Sequence, residues 1–139
     1  MRGLFFLIFI SYSCITNAQS ILGEWETYDD KTKEAKSIVE IYKVGDYYFG
    51  KILGTLTGEK NEICDECIGD KNNQPIIGLV IIEKLLKDGN EYNSGTILDP
   101  ENGENYKCYL ELVSDNQLKV RGYIGLSLFG RTQYWIRKQ

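Results

Sequence analysis

The C-terminal segment from Leu118 to Lys138 is the part of the chain that most constrains its fold. Apolar and polar residues alternate before and after a central stretch in which glycines separate apolar residues. Alternation with a period of two is typical of strands that bury one face and expose the other. The segment therefore predicts two antiparallel strands joined by a glycine-rich corner, which together form the closing seam of an all-β domain.

The rest of the chain has a similar pattern of short strands separated by turns. The segments 23–28, 37–43 and 46–54 are rich in β-branched and aromatic residues, and turn-forming residues separate them. The segment 104–113 alternates cleanly and follows an Asp-Pro-Glu-Asn-Gly turn. About eight strands with hairpin spacing predict a barrel or a sandwich, and closure into a barrel removes exposed edges.

The middle of the chain is less regular. Residues 55–75 form a long polar segment, and loops of this length usually have a function or are cross-linked. The apolar run from Pro75 to Leu86 fits either a buried strand or a short helix. We expect a strand or a helical turn that plugs one end of the core.

The N-terminus has the pattern of a secretory signal peptide, with Arg2 before a short apolar run and small residues up to Ala18. The apolar run is well short of the roughly 20 residues that cross a bilayer. We expect residues 1–18 to be removed, so that residues 19–139 form one periplasmic or secreted domain. Lipidation at Cys14 is a less favoured alternative, because a bulky tyrosine lies two residues before it.

Composition excludes several classes of function. The chain has 16 basic residues, 20 acidic residues and no histidine. A net negative chain has no cationic field for nucleic acid, so we expect no nucleic-acid partner, and no basic amphipathic stretch indicates an anionic membrane surface. Catalytic triads and metal sites that rely on histidine are excluded, because the chain has none. We expect no catalytic residues, no metal and no cofactor, and we favour a non-enzymatic role because no carboxylate pair is singled out by its spacing.

Cys64 and Cys67 are the sharpest chemical feature of the chain. Two nearby thiols in an exported protein tend to oxidise, which favours a structural disulfide. The alternatives are a redox site, which the acidic neighbours disfavour, and a zinc site completed by Cys108 or a carboxylate. We expect Cys108 to be a buried residue on the apolar face of its strand, although its pairing with either of the other two cysteines stays open.

Aromatic residues and arginines are the candidates for a ligand site at a barrel mouth. Arg121 and Arg131 flank the glycine-rich corner and can either clamp an anionic head group or pair with surface carboxylates. Packing inside the barrel is the alternative for most of the aromatic residues. The predicted ligand-binding residues are Trp25, Tyr48, Tyr106, Arg121, Tyr123, Arg131 and Tyr134.

Residues 98–112 and 118–137 resemble the two signature blocks of a secreted bacterial family, domain-of-unknown-function family 2147. The segments Gly23-Glu24-Trp25 and Gly50-Lys51-Ile52, together with Gly78 and Ile82, are also similar to its pattern. The resemblance implies a small extracytoplasmic β-barrel and no established activity. The cysteine-containing segment departs from the acidic segment that the family has at this place.

The chain also resembles lipocalins, which begin with a Gly-x-Trp strand and carry a late arginine that packs over the tryptophan. Here Trp25 would pair with Arg137 or Arg121. This resemblance implies an all-β fold, a single small antiparallel barrel of the lipocalin or calycin type with about eight strands and at most one short helix.

These observations predict an exported β-barrel that binds a small apolar or amphipathic ligand or a partner in the cell envelope. A barrel filled solidly by side chains would rule out a ligand inside it. The alternatives are a structural or protein-interaction module, and a metal or redox protein that uses Cys64 and Cys67.

Overall fold

The computed structural model describes residues 11, 13, 19–58 and 61–139. The predicted signal peptide falls almost entirely outside the described residues, as does Cys14. The described chain forms eight strands and a 3-10 helix of three residues, Gly69–Lys71. The strands are β1 (Gly23–Tyr28), β2 (Ala35–Val44), β3 (Tyr47–Thr55), β4 (Val80–Asp88), β5 (Glu91–Asp99), β6 (Glu104–Ser114), β7 (Gln117–Tyr123) and β8 (Gly130–Arg137).

The strands form a closed antiparallel barrel in chain order, which confirms the predicted fold. β8 pairs with β7 along its whole length and with β1 over a short register, Trp25 opposite Arg137 and Glu26 opposite Ile136. The amide of Lys138 donates a hydrogen bond of 3.0 Å to the carbonyl of Glu24 and extends this seam. The C-terminal hairpin is therefore the closing seam of the barrel, as its alternation predicts.

Antiparallel order places the connections at two ends of the barrel. One end of the barrel carries the tight turns β2–β3, β4–β5 and β6–β7, together with the start of β1 and the end of β8. We call this end the closed end. The longer connections 29–34, 56–79, 100–103 and 124–129 lie at the opposite end, which we call the mouth.

Of the two alternatives for the run from Pro75 to Leu86, the strand is correct for its second half, but this strand does not plug one end of the core. The second half of the run belongs to β4 in the barrel wall, where Gly50 lies opposite Ile82 and Tyr48 lies opposite Leu85. Lys84 has a φ of 57°, and this bulge lets Ile82 and Leu85, three residues apart, both face the core. The bulge breaks the period of two, which explains why periodicity could not assign this strand.

The tightly packed part of the core lies toward the closed end. Trp25, Leu85, Leu110 and Leu118 are fully buried there, and each buried side chain of this size stabilises the fold by about 1.5–3 kcal/mol. The rings of Tyr48 and Tyr92 meet edge to face with centroids 4.8 Å apart. The half of the barrel near the mouth is filled less densely.

Candidate functional site

A cavity of about 460 Å³ lies inside the barrel between the packed core and the mouth. This volume is within the range of small-molecule sites, which is roughly 300–1,000 Å³. Its wall combines aliphatic and aromatic side chains with several polar and charged ones. The lining residues include Thr27, Lys36, Ser37, Ile52, Ile81, Ile97, Tyr106, Val120, Gly122, Tyr123, Ile124, Phe129, Arg131, Gln133 and Trp135.

The absence of a side chain at Gly122 leaves space in the cavity. Gly122 lies in β7, and a Cβ at this position would come to 3.4 Å from the Ile97 side chain and 3.6 Å from Tyr106. A longer side chain would therefore project into the space between these two residues. The barrel is not filled solidly, so a ligand inside it is not ruled out.

The polar side chains of the wall bond to one another. The Thr27 and Ser37 hydroxyls share a hydrogen bond of 2.7 Å, and the Trp135 indole donates one of 3.2 Å to the side-chain oxygen of Gln133. The amide nitrogen of Gln133 in turn donates to the Asp30 carboxylate at 3.3 Å. Among the described residues, no buried side-chain nitrogen or oxygen lacks a hydrogen-bond partner.

Two ion pairs stand at the rim of the cavity. The Arg131 Nε lies 3.0 Å from an Asp30 carboxylate oxygen, and the Lys36 ammonium pairs with Glu101. The Arg131 side chain is 66% exposed and that of Glu101 is 67% exposed. Exposed pairs contribute only about 0–1 kcal/mol, so either cation can exchange its partner for a ligand head group at small cost.

A second and more polar cleft of about 450 Å³ adjoins the cavity, since Lys36, Ser37, Ile52 and Pro100 line both spaces. Its opposite wall belongs to the long β3–β4 connection, of which we call residues 61–79 the Cys loop. Carboxylates such as Asp29, Glu34 and Glu62 border this cleft. The mouth therefore has an apolar interior and an acidic side beneath the Cys loop.

The Cys loop is folded around a disulfide between Cys64 and Cys67, which confirms the structural disulfide predicted from the sequence. Both cysteines are buried, and Cys64 exchanges backbone hydrogen bonds of 2.8 Å with Gln74 and Asn73. The Asn72 side chain donates to the carbonyl of Cys67 at 2.7 Å. The cross-link and these bonds give an ordered cover beside the cavity.

Cys108 is a buried thiol outside any disulfide, and burial raises its pKa to about 12. The pairing that the sequence left open is thus resolved in favour of Cys64 with Cys67. Within residues 19–58 and 61–139, no group of three or more cysteine, aspartate and glutamate side chains is placed to hold a metal ion.

The structure brings three of the seven predicted ligand-binding residues to the cavity, namely Tyr106, Tyr123 and Arg131. The other four lie elsewhere. Trp25 and Tyr48 pack in the core toward the closed end. Arg121 bonds to the β7–β8 connection and to Thr132, and Tyr134 is 49% exposed. The ligand-binding roles themselves stay predictions.

The aliphatic residues of the cavity wall were not predicted as site residues from the sequence. Val120 was identifiable, because strand alternation places it on the same face as Leu118. The inward direction of Ile97 was not identifiable, because Ser94 has a φ of 66° and the register of β5 shifts before Ile97. A bulge of this kind leaves no clear mark in the composition.

Arg137 closes the barrel beneath the core. Its guanidinium carbon lies 4.3 Å from the ring centroid of Trp25, within the range of a cation–π contact. The same guanidinium donates hydrogen bonds of 2.6, 2.9 and 2.7 Å to the carbonyls of Asp115, Leu22 and Ser20. Arg137, and not Arg121, is therefore the late arginine that packs over the first-strand tryptophan.

In the part of the chain that the structure describes, no helix is long and apolar enough to cross a membrane. No curated protein matches the chain.

A solved structure with a similar fold is that of a Helicobacter pylori protein, HP1028, which is described as belonging to the lipocalin family. It superposes with a TM-score of 0.78 at 18% sequence identity, over 88% of this chain and 85% of the other. At this identity the likeness shows the fold, which is lipocalin-like.

The sequence also matches a protein-family model over residues 23–137, which include all eight strands. That family is described as "Uncharacterized protein conserved in bacteria (DUF2147)". The match confirms the family that the two C-terminal blocks indicate, and the chain belongs to this bacterial family, DUF2147.

Proposed function

We propose that this protein is an exported, non-enzymatic binding protein that holds a small apolar or amphipathic ligand in the cavity of its barrel. One observation carries the proposal: a cavity of about 460 Å³, whose wall includes aliphatic and aromatic side chains, lies open toward the mouth of a barrel that is tightly packed at its other end. An apolar ligand that enters this space leaves water and gains contacts, which drives binding.

The rim indicates which end of the ligand faces the solvent. An apolar body fits against Ile52, Ile97 and Val120 inside, while a polar or anionic end fits beside Lys36 and Arg131 at the rim. Both cations already have carboxylate partners, so they favour an anionic head group without requiring one.

Export is part of the proposal. The N-terminal pattern is that of a signal peptide, so residues 1–18 would be removed and residues 19–139 would be the mature domain. The disulfide between Cys64 and Cys67 supports an oxidising compartment such as the bacterial periplasm or the exterior.

Tryptophan fluorescence offers a direct test, because Trp135 lines the cavity and Trp25 lies in the packed core. The mature protein is titrated with dodecanoate and with dodecanol, which share the chain and differ in head group. We expect saturable changes in emission that persist in Trp25→Phe and disappear in Trp135→Phe. Dodecanoate should bind more tightly than dodecanol if the rim cations contact the head group.

A steric variant and its control identify the site. Val120→Phe places a larger side chain in the cavity wall, whereas Val113→Phe adds the same group at a position that is 54% exposed. We expect Val120→Phe to weaken binding at least about tenfold and Val113→Phe to leave it unchanged. Equal binding by the wild type and a folded Val120→Phe variant would exclude the cavity as the site.

A further inference from the structure

The connection between β7 and β8 carries an unusual concentration of exposed apolar side chains, which we call the apolar tip. It consists of Ile124, Leu126, Leu128 and Phe129, which are 65%, 67%, 81% and 70% exposed. No charged residue occurs from Gly122 to Gly130. Ile124 and Phe129 also line the cavity, so the tip stands directly at its entrance.

The backbone of this connection already satisfies much of its own hydrogen bonding. The amide of Ile124 donates to the carbonyl of Phe129 at 3.1 Å, and the amide of Phe129 donates to Leu126 at 3.0 Å. The Arg121 guanidinium donates to the carbonyls of Ser127 at 2.9 Å and Leu128 at 3.3 Å. A loop bonded in this way can leave water while these backbone groups keep their hydrogen-bond partners.

Charge is segregated in the same part of the chain. Residues 116–139 hold five basic and no acidic residues, while the rest of the chain holds 11 basic and 20 acidic residues. On the barrel surface below the tip, Lys119 and Arg121 of β7 lie beside β6, where Lys107 is opposite Tyr123 and Glu111 is opposite Lys119. Glu111 therefore lies among three basic side chains of β6 and β7, with Glu91 of β5 opposite it.

Aromatic, basic and acidic side chains also lie on or beside the β7–β8 hairpin. Tyr134 lies opposite Lys119, and Lys119 stands 5.5 Å from the ring centroid of Tyr109. Arg131 is the cation at the base of the tip on the cavity side and pairs with Asp30. Glu26 lies opposite Ile136 near the seam with β1.

We propose that the β7–β8 hairpin docks the mouth of the barrel onto an anionic lipid surface. The order of groups along the hairpin matches the layers of a bilayer leaflet, with an uncharged apolar tip for the acyl boundary followed by tyrosines and cations for the head groups. Charge complementarity favours a lipid surface, since the cations of the hairpin face phosphate groups once the tip is inserted. A protein partner would not require the apolar and cationic groups to be layered in this order.

Docking would bring the cavity entrance against the bilayer, so that an apolar ligand passes between membrane and barrel without crossing water. Only this transfer step rests on the proposed ligand binding. The docking itself follows from the surface and can be tested without a ligand.

The test measures cosedimentation of the mature protein, residues 19–139, which carries every strand, with vesicles. One set contains phosphatidylcholine alone and the other contains phosphatidylcholine with phosphatidylglycerol. We expect binding to the second set that weakens as salt is added, because salt screens the cations of the hairpin. A wild-type protein that stays in the supernatant with both sets would overturn the proposal.

Leu128→Ser combined with Phe129→Ser tests the apolar tip. We expect this variant to bind the anionic vesicles at least about tenfold more weakly, because two large apolar side chains are lost from the bilayer boundary. Ile68→Ser is the control, since Ile68 is 79% exposed but lies on the Cys loop. A folded tip variant that binds as well as wild type contradicts the proposal, as does an equal loss in the control.

Lys107→Gln combined with Lys119→Gln tests the cations without disturbing Arg121, which holds the loop. We expect a loss of about fivefold for each lysine on anionic vesicles and no change on phosphatidylcholine. Lys84→Gln with Lys87→Gln on β4, across the barrel, removes the same charge and should have a much smaller effect.

Two results would separate this inference from the proposed function. If the tip variant changes only the oligomeric state and not sedimentation with vesicles, a second copy of the chain covers the tip and the lipid proposal is wrong. Fluorescence titration with dodecanoate in the absence of vesicles reports the cavity independently, so either proposal can fail while the other holds.

Discussion

A single side chain, Arg137, joins the C-terminal strand to two parts of the chain that are distant from it in sequence. It stacks on Trp25 of β1, and its guanidinium bonds to the β6–β7 turn and to the segment before β1. A planar group with five fixed donors suits this task, because it can stack on a ring while its edge reaches several carbonyls. The residue therefore holds the seam at the closed end, where only two residue pairs join β1 to β8.

Replacing this arginine should destabilise the barrel measurably. We expect Arg137→Ala to lower the free energy of unfolding by about 2–3 kcal/mol, through the lost stacking and the lost charged hydrogen bonds. Arg137→Lys should fall between this variant and the wild type, because an ammonium keeps the charge but not the fork geometry. Urea denaturation measures the difference, and the adjacent Lys138→Ala should lie within about 0.5 kcal/mol of wild type. Equal unfolding midpoints for Arg137→Ala and Lys138→Ala would contradict this role.

The buried thiol of Cys108 leads to a prediction about reactivity. Burial raises its pKa from 9.0 to about 12, so the folded state favours the neutral thiol. Its contribution to stability is therefore fully present below about pH 9 and is lost as the pH rises through 12. At pH 8 we expect the folded mature protein to react with a thiol reagent about a thousandfold more slowly than the unfolded protein. In the absence of reductant, the unfolded protein should react with one equivalent of the thiol reagent. Rapid labelling of the folded protein, or reaction of the unfolded protein with three equivalents, would contradict this assignment.

At the scale of elements, the Cys loop packs against the β5–β6 turn. Gly103 in that turn has a φ of 73°, and a Cβ at this position would collide with the backbone carbonyl of Glu66. Glycine is required here for its conformation and also for the close approach of the two loops. The mouth is thus organised by contact between loops and not by the disulfide alone.

A pair of glycine variants separates these two reasons. Gly103→Ala and Gly89→Ala both place alanine at a positive φ, but a Cβ at Gly89 would meet no atom within 4 Å. We expect Gly89→Ala to cost about 1 kcal/mol and Gly103→Ala at least about 1 kcal/mol more, because the Cys loop must move. Hydrogen exchange at the amides of Cys64 and Asn73 should accelerate only in Gly103→Ala. Equal costs and unchanged exchange would show that the two loops are not coupled.

Most elements were predictable from the sequence within one or two residues. β1 has the bounds expected from its composition, and β6 ends one residue later than expected. These strands alternate regularly, so the local pattern carries the information. β4 was not assigned, because its bulge at Lys84 breaks the period of two, so that Ile81, Ile82 and Leu85 are all buried.

At the scale of the whole molecule, the barrel is divided into a packed half and a half with a cavity. A pair of isoleucines measures this division, since Ile41 is 2% exposed in the packed core and Ile97 borders the cavity. We expect Ile41→Ala to cost about 2–5 kcal/mol in the free energy of unfolding, whereas Ile97→Ala should cost markedly less because fewer contacts are lost. Chemical denaturation of both variants provides the measurement. A similar cost at both positions would indicate that the two halves are packed equally well.

The charge distribution is also a property of the whole molecule. The sequence contains no basic amphipathic stretch, and on that ground it gave no indication of a membrane surface. The barrel brings Lys107 of β6 beside the β7–β8 hairpin and the apolar tip, which creates a surface that no single segment contains. A net charge averages over such a surface, whereas association depends on the local field.

The sequence by itself determined most of the strands and turns, the favoured disulfide and the family, because each depends on residues that are close together in the chain or on blocks that can be recognised. Only the tertiary structure decided that Arg137 packs over Trp25, and that Tyr106, Tyr123 and Arg131 line a cavity while Arg121 and Tyr134 do not. The physical reason is that the inward or outward direction of a side chain depends on bulges, strand register and barrel closure. These are set by pairing between distant segments, and local alternation does not specify them.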